Sequence, residues 1–173
     1  MKEQPKTENI SEKKELFDLI KRSMILIAAL WVFFNFIIGI EVMPGIDMEP
    51  GIMPGDILIY YRPDRKAAIR DVIVLRKDDD IYVGRVVACG GDKVEITEGS
   101  SLMVNDNTVT EENIFFRTPV YEKNTEYPVI LSSDECFVLS DMREGGEDSR
   151  YYGPVNKDEI MGTVIGLYRR RGI

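Results

Sequence analysis

The stretch Met24 to Ile40, MILIAALWVFFNFIIGI, holds no charged residue and only Asn35 as a clearly polar one, and it divides the chain into parts of different character. A helix rises about 1.5 Å per residue and needs roughly 20 residues to cross the hydrocarbon core of a bilayer, so the run suffices if its immediate neighbours contribute. The sequence therefore predicts a transmembrane helix over residues 23–41, after a tail of residues 1–22 and before a folded domain over residues 42–173. Lys13, Lys14, Lys21 and Arg22 precede the run, whereas Glu41, Asp47, Glu49 and Asp56 follow it before the next basic residue, Arg62. Basic residues stay on the cytoplasmic side. The expected topology is thus a single pass through the cell membrane, with the N-terminus cytoplasmic and the larger domain extracellular. Gly39-Ile40-Glu41-Val42-Met43 offers no small-residue cleavage site, so the run reads as an uncleaved anchor.

Beyond the anchor the pattern becomes short β-branched or aromatic runs separated by Gly, Pro, Asn and Asp, which predicts a mainly β, antiparallel sheet or barrel domain. The predicted strands are Ile57–Tyr61, Asp71–Arg76, Ile81–Ala88, Lys93–Thr97, Leu102–Val104, Asn107–Val109, Glu135–Ser140 and Met161–Arg169. Asn105-Asp106 suits a two-residue hairpin turn, since both residues tolerate positive φ. The section from Thr110 to Ser133 is less regular.

Several kinds of chemistry are excluded by composition. The chain has no His, which removes Ser-His-Asp and Cys-His catalysis and any His-based metal site. No metal or other cofactor is expected. A formal net charge of -8 argues against nucleic acid, whose phosphates are bound by Lys and Arg. The one basic cluster, Arg169-Arg170-Arg171, reads as a solvated strand end or tail. Cys89 and Cys136 fall on the extracellular side, where oxidation is permitted, and read as two buried thiols.

Four segments, in order, carry a resemblance. They are Asp47-Met48-Glu49-Pro50-Gly51-Ile52-Met53-Pro54-Gly55-Asp56, then Asp71-Val72-Ile73-Val74-Leu75, then Tyr82-Val83-Gly84-Arg85-Val86-Val87-Ala88-Cys89-Gly90-Gly91-Asp92, and finally Phe137 through Gly153. They resemble, in frame, the S-M-x-P-x-x-x-x-G-D, D-I-V-V-F, Y-V-K-R-V-I-G-x-P-G-D and F-V-L-G-D-N-R-x-x-S-x-D-S-R-x-x-G segments of type I signal peptidases. The resemblance spans residues 42–165 and implies the signal-peptidase type of antiparallel β domain behind a membrane anchor.

At three positions the sequence departs from that family. Its peptidases use a Ser/Lys pair in which a neutral amine takes the serine proton. The resemblance puts Asp47 at the serine position, Gly84 at the lysine position and Gly146 at the serine that orients the lysine, which implies a degenerate member that is not an enzyme. Asp148 with Arg150, and Asp141, match positions that support the site structurally. An aspartyl mechanism would need two carboxylates sharing a proton about 3 Å apart, with Asp141 and Asp148 the candidates beside Asp47.

Strand addition of an extended peptide needs backbone edges and not the catalytic pair. The expected groove comprises Gly45, Asp47, Met48, Pro50, Val83, Gly84 and Arg85, with open space where the glycine at 84 replaces a side chain. Among signal-peptidase-like proteins the chain is similar to the streptococcal pilus assembly group of SipA/LepA type. That likeness implies an accessory or chaperone for sortase-mediated pilin polymerisation, with backbone pilin and a class C sortase as partners. A signal peptidase with unorthodox catalysis, or a regulator of an active signal peptidase, are the alternatives.

Overall fold

The computed structural model describes residues 8–111, 114–121 and 125–169, and the chain divides into two compact units between Ile37 and Ile38. In the first unit, helix α1 (Glu8–Val32) runs into a π-helical turn, Phe33–Ile37. Met24, Ile25, Leu26, Ile27, Leu30, Trp31, Phe33, Phe34 and Phe36 are all exposed around it. The one polar side chain among them is satisfied locally, because the Asn35 amide donates to the Trp31 carbonyl at 2.8 Å.

The transmembrane helix expected over residues 23–41 does not form as such. Ile38 already opens a strand, where the β-branched residues Ile38, Ile40 and Val42 find backbone partners opposite Tyr61, Ile59 and Ile57. The uncharged helical stretch 23–37 then reaches only about 22 Å, short of roughly 30 Å of hydrocarbon. Among the described residues no helix is long and apolar enough to cross a membrane.

The second unit is built on two antiparallel sheets. The larger contains β1 (Ile38–Val42), β2 (Ile57–Tyr61), β3 (Val72–Lys77), β4 (Asp80–Cys89), β9 (Glu135–Leu139), β10 (Val155–Asn156) and β11 (Ile160–Tyr168), in the order β1-β2-β11-β3-β4-β9-β10. The smaller contains β5 (Lys93–Ile96), β6 (Leu102–Val104), β7 (Asn107–Thr108) and β8 (Val129–Ile130), in the order β7-β6-β5-β8. A single helical turn, α2 (Ser149–Tyr152), follows β9.

Turn chemistry sets two of the hairpin registers. Asp78 and Asp79 have φ of 51° and 72°, and Asn105 and Asp106 have 50° and 65°, the paired positive angles of turns whose twist matches the flanking strands. Lys77 therefore faces Asp80, and Val104 faces Asn107.

The core lies in three clusters. One joins Ile73, Leu75, Val86, Val138 and Ile160, a second joins Val94, Leu102, Phe137 and Leu139, and a third joins Met43, Met48, Leu58, Tyr60, Val74 and Val83. Gly39 is required by the third. A Cβ there would fall 2.0 to 2.6 Å from atoms of the buried Tyr60 ring, which lies directly opposite on β2.

Candidate active site

The loop between β1 and β2, residues 43–56, carries Asp47. It is drawn into the core by Met43, Met48 and Ile52 and closed at its base by hydrogen bonds from Met43 N to the Asp56 carbonyl and from Gly55 N to the Met43 carbonyl, both 2.9 Å. Arg169, at the end of β11, braces it from outside, its Nη2 lying 3.1 Å from Asp56 Oδ2 and 2.8 Å from the Gly51 carbonyl. Hydrogen bonding to Arg169 holds the Asp56 carboxyl below its ordinary range. Arg169 is therefore a built contact and not a solvated end; Arg170 and Arg171 lie outside the described residues.

Asp47 is half-buried and faces the loop that follows β9. Its carbonyl accepts from Met142 N at 2.8 Å, and its Oδ1 lies 3.4 Å from Glu147 N. A side chain at Gly45 would meet Asp47 Oδ2 at 2.7 Å, so the glycine leaves room for the carboxylate. Of the other groove residues, Pro50 is exposed, whereas Met48 and Val83 are core residues that support the loop from beneath.

Gly84 is buried on β4, and no open space adjoins it. A Cβ there would lie 2.5 Å from Val138 Cγ1 and 3.3 Å from the Leu139 carbonyl, so any side chain at 84 has to displace Val138. The space expected at this glycine is occupied because β9 pairs with β4 from Arg85 onward. Residues 80–84 pair with β3, and no pairing with β9 reaches them.

Two arginines take up the remaining carboxylates. Arg85 Nε and Nη2 donate to Asp141 at 2.8 and 2.6 Å, tying β4 to the loop after β9. Arg150 Nε and Nη2 donate to Asp148 at 2.8 and 2.7 Å, with both side chains at 2% exposure or less. Neither carboxylate is therefore free to share a proton with Asp47, and among the described residues no ion pair engages Asp47 itself. Close by, Tyr152 packs on Tyr82 with ring centroids 4.8 Å apart. Burial, and then surrounding carboxylates including Asp47, raise the Tyr152 pKa well above the ordinary value, so it stays a neutral phenol.

Sequence reasoning assigned no role to several residues that build this site. Ser140 Oγ sits 2.8 Å from Asp148 Oδ2 and 3.0 Å from the Met142 carbonyl. It lies 2.1 Å from where a Cβ at Gly146 would be, so the hydroxyl at 140 fills the place that a side chain at 146 would take. Arg143 is fully buried, donating to the Ser140 carbonyl, Thr118 Oγ1 and Glu111. Tyr121 lies under the Arg150 guanidinium at 4.4 Å. Arg143 and Ser140 fall inside the quoted segment 137–153 and were within reach of the sequence. Glu111, Thr118 and Tyr121 come from the irregular section, where no pattern marks a partner.

Two antiparallel sheets thus hold a loop carboxylate beside a second, arginine-braced loop. The family model described as Signal peptidase, peptidase S26, matches residues 16–168, and the chain belongs to that family. Signal peptidase I S of Bacillus subtilis (strain 168) is 28% identical over 171 residues, covering 91% of each protein. Signal peptidase IB of Staphylococcus aureus is 27% identical over 170 residues, covering 88% of each. The probable signal peptidase I-2 of Synechocystis sp. is 28% identical over 142 residues, covering 76% of this chain and 63% of that protein. The chain spans only 40% of thylakoidal processing peptidase 1 of Arabidopsis thaliana. The crystal structure of a signal peptidase I from Enterococcus faecalis V583 aligns with a TM-score of 0.47 at 20% identity, covering 57% of this chain and 96% of that one.

These comparisons correct one expectation. The substitutions at 47, 84 and 146 were read as making the chain not an enzyme, yet the family is a peptidase family and the relatives are named as peptidases, so the enzyme reading is the favoured one.

Proposed function

We propose that the chain is a signal-peptidase-family enzyme that processes an extended segment of an exported polypeptide, with Asp47 as the base that activates a water molecule. The observation that carries this is the division of labour among three carboxylates. Asp141 and Asp148 are neutralised by arginines, and among the described residues no cation pairs with Asp47. Without a proton-sharing partner, a single half-buried carboxylate can take a proton from water as it attacks the scissile carbonyl and return that proton to the departing amine as the C–N bond breaks, a role worth about 10²–10⁴ in rate. Residues 80–84 and the edge strand β1 offer backbone groups along which such a segment adds as a strand.

The segment we assign is that of a backbone pilin, handled together with a class C sortase; its support is the likeness to pilus assembly proteins described above. A photoreactive residue at position 47, activated in cells, tests this. Capture of pilin or sortase is expected. Capture of an active signal peptidase instead contradicts the substrate assignment and favours a regulator.

The apolar surface of residues 23–37 is proposed to lie in the cell membrane, with the N-terminus cytoplasmic and the β domain extracellular. Exposed Trp, Phe, Leu and Ile side chains around a helix are costly in water and stable in hydrocarbon. The shortfall in length is met by local thinning of the bilayer and by Lys21 and Arg22 reaching to the headgroups, at fractions of a kcal/mol per Å. A reporter fused after Ile173 is expected outside the cell and one fused at Met1 inside; the reverse pattern contradicts the topology.

A further inference from the structure

Cys89 closes β4, Cys136 lies in β9, and the two are direct partners in the antiparallel register. Their sulfurs are 3.7 Å apart, both as free thiols. Adjacent antiparallel strands hold opposed Cα atoms about 4.5–5.5 Å apart, inside the range of roughly 4.4–6.8 Å that a disulfide spans. The strands are well fixed here. The Asp92 carboxylate accepts from Cys89 N at 2.9 Å, and the neighbouring Gly90 is so close to Ser133 that a Cβ would lie 2.5 Å from the Ser133 carbonyl oxygen.

We propose that Cys89 and Cys136 form a reversible cross-strand disulfide by exchange with an oxidising disulfide, either a low-molecular-weight one or that of a thiol oxidoreductase. Cys89 is partly exposed and Cys136 is buried, which sets the order of events. The Cys89 thiolate attacks one sulfur of the oxidant, forming a mixed disulfide and expelling the first thiolate. Cys136 then attacks Cys89 Sγ and expels the second thiolate. Two protein thiols are oxidised, one external disulfide is reduced to two thiols, and the two protein protons pass to the leaving groups. Burial raises both thiols above their ordinary pKa, Cys136 to about 12, so spontaneous reaction at neutral pH is slow and exchange depends on the oxidant supplied.

The bond has a consequence for the site. β4 carries Gly84 and Arg85, and β9 leads into Ser140 and Asp141, so a crosslink between these strands fixes the base on which Asp47 and its facing loop rest. The closed loop of 48 residues or so is long enough for a crosslink to raise Tm by about 5–10 °C in a domain of this size.

The test uses the full chain in detergent micelles, equilibrated with reduced and oxidised glutathione at several ratios. Samples are quenched in acid, alkylated under denaturing conditions and weighed intact. Two alkyl groups at reducing ratios, none at oxidising ratios with a mass about 2 Da lower, and an upward Tm shift are expected. Cys89→Ser should instead keep Cys136 as a free thiol or carry a single glutathione. Persistence of two alkylatable thiols at the most oxidising ratio, a glutathione adduct on the natural chain in place of the internal bond, or a disulfide between two chains would overturn the proposal.

Discussion

Replacing Asp148 with Ala is expected to remove about 3–5 kcal/mol of folding stability, a large part of the roughly 5–15 kcal/mol available to a domain of this size. Asp148 and Arg150 are both almost wholly shielded from water. The carboxylate accepts two hydrogen bonds from the guanidinium, at 2.8 and 2.7 Å, one from Arg150 N at 3.0 Å, and two from Ser140, whose N and Oγ lie at 3.0 and 2.8 Å. Truncation leaves the guanidinium without its counter-charge and orphans the Ser140 and Arg150 amides, each an unmet buried donor costing about 1–3 kcal/mol. These penalties overlap, because all the groups share one partner. Arg150 keeps its bonds to the carbonyls of Arg143 and Pro119, and it keeps the Tyr121 ring beneath it, which limits the loss. Urea unfolding of both proteins in the same detergent measures the difference. Asp148→Asn retains acceptors but not the charge and should fall between the two. A loss below about 1 kcal/mol for the alanine variant would mean that water reaches Arg150 and that the pair is not the brace described here.

Much of this fold was legible in the residues. The β-branched runs bounded by Gly, Pro, Asn and Asp marked β2 and β6 to the residue and six other strands to within a residue or two. Asn105-Asp106 marked its hairpin because two adjacent residues that tolerate positive φ leave few other conformations. Strand β1 was hidden because Ile38 and Ile40 continue the apolar run that precedes them. Only Tyr60, far along the chain, reveals that Gly39 is a pairing position and not part of a helix. Strands β8 and β10 contribute two residues each, too short for any alternation to show. Local pattern also misjudged position 84. A glycine signals missing volume, but whether that volume is empty depends on Val138, which arrives from a different strand.

The site divides in the same way. The pairing of Asp148 with Arg150 was carried by a short segment with a strong resemblance, and the structure places them in direct contact. The partners of Ser140 lie in the same quoted segment, whereas Arg143 and Arg169 face residues across long stretches of sequence. Arg169 reaches Asp56 and Gly51, and Arg143 reaches Thr118 and Glu111, distances along the chain that no periodicity records. The role of Asp47 was left open by the sequence; among the described residues Asp141 and Asp148 are bound to arginines and no ion pair engages Asp47.

Asp47→Asn is accordingly the second substitution with a large expected effect. The amide is nearly the size of the carboxylate and can still accept at one oxygen, so the contact with Glu147 N and the fold of the 43–56 loop should survive. Proton acceptance should not, since an amide has no basicity near neutral pH. A fall of about 10²–10⁴ in kcat is the consequence for a general base. Thermal unfolding of the two proteins should agree to within a few degrees, which separates a chemical role for Asp47 from a structural one.

The most direct measurement is cleavage itself. The natural chain and its Asp47→Asn variant, reconstituted in lipid vesicles, are incubated with a pilin precursor that includes its leader, and the products are weighed. A single specific cut by the natural chain is expected, falling at least about 100-fold in the folded Asp47→Asn protein. Intact precursor after prolonged incubation with the natural chain, or cleavage unchanged by Asp47→Asn, would contradict the proposed function.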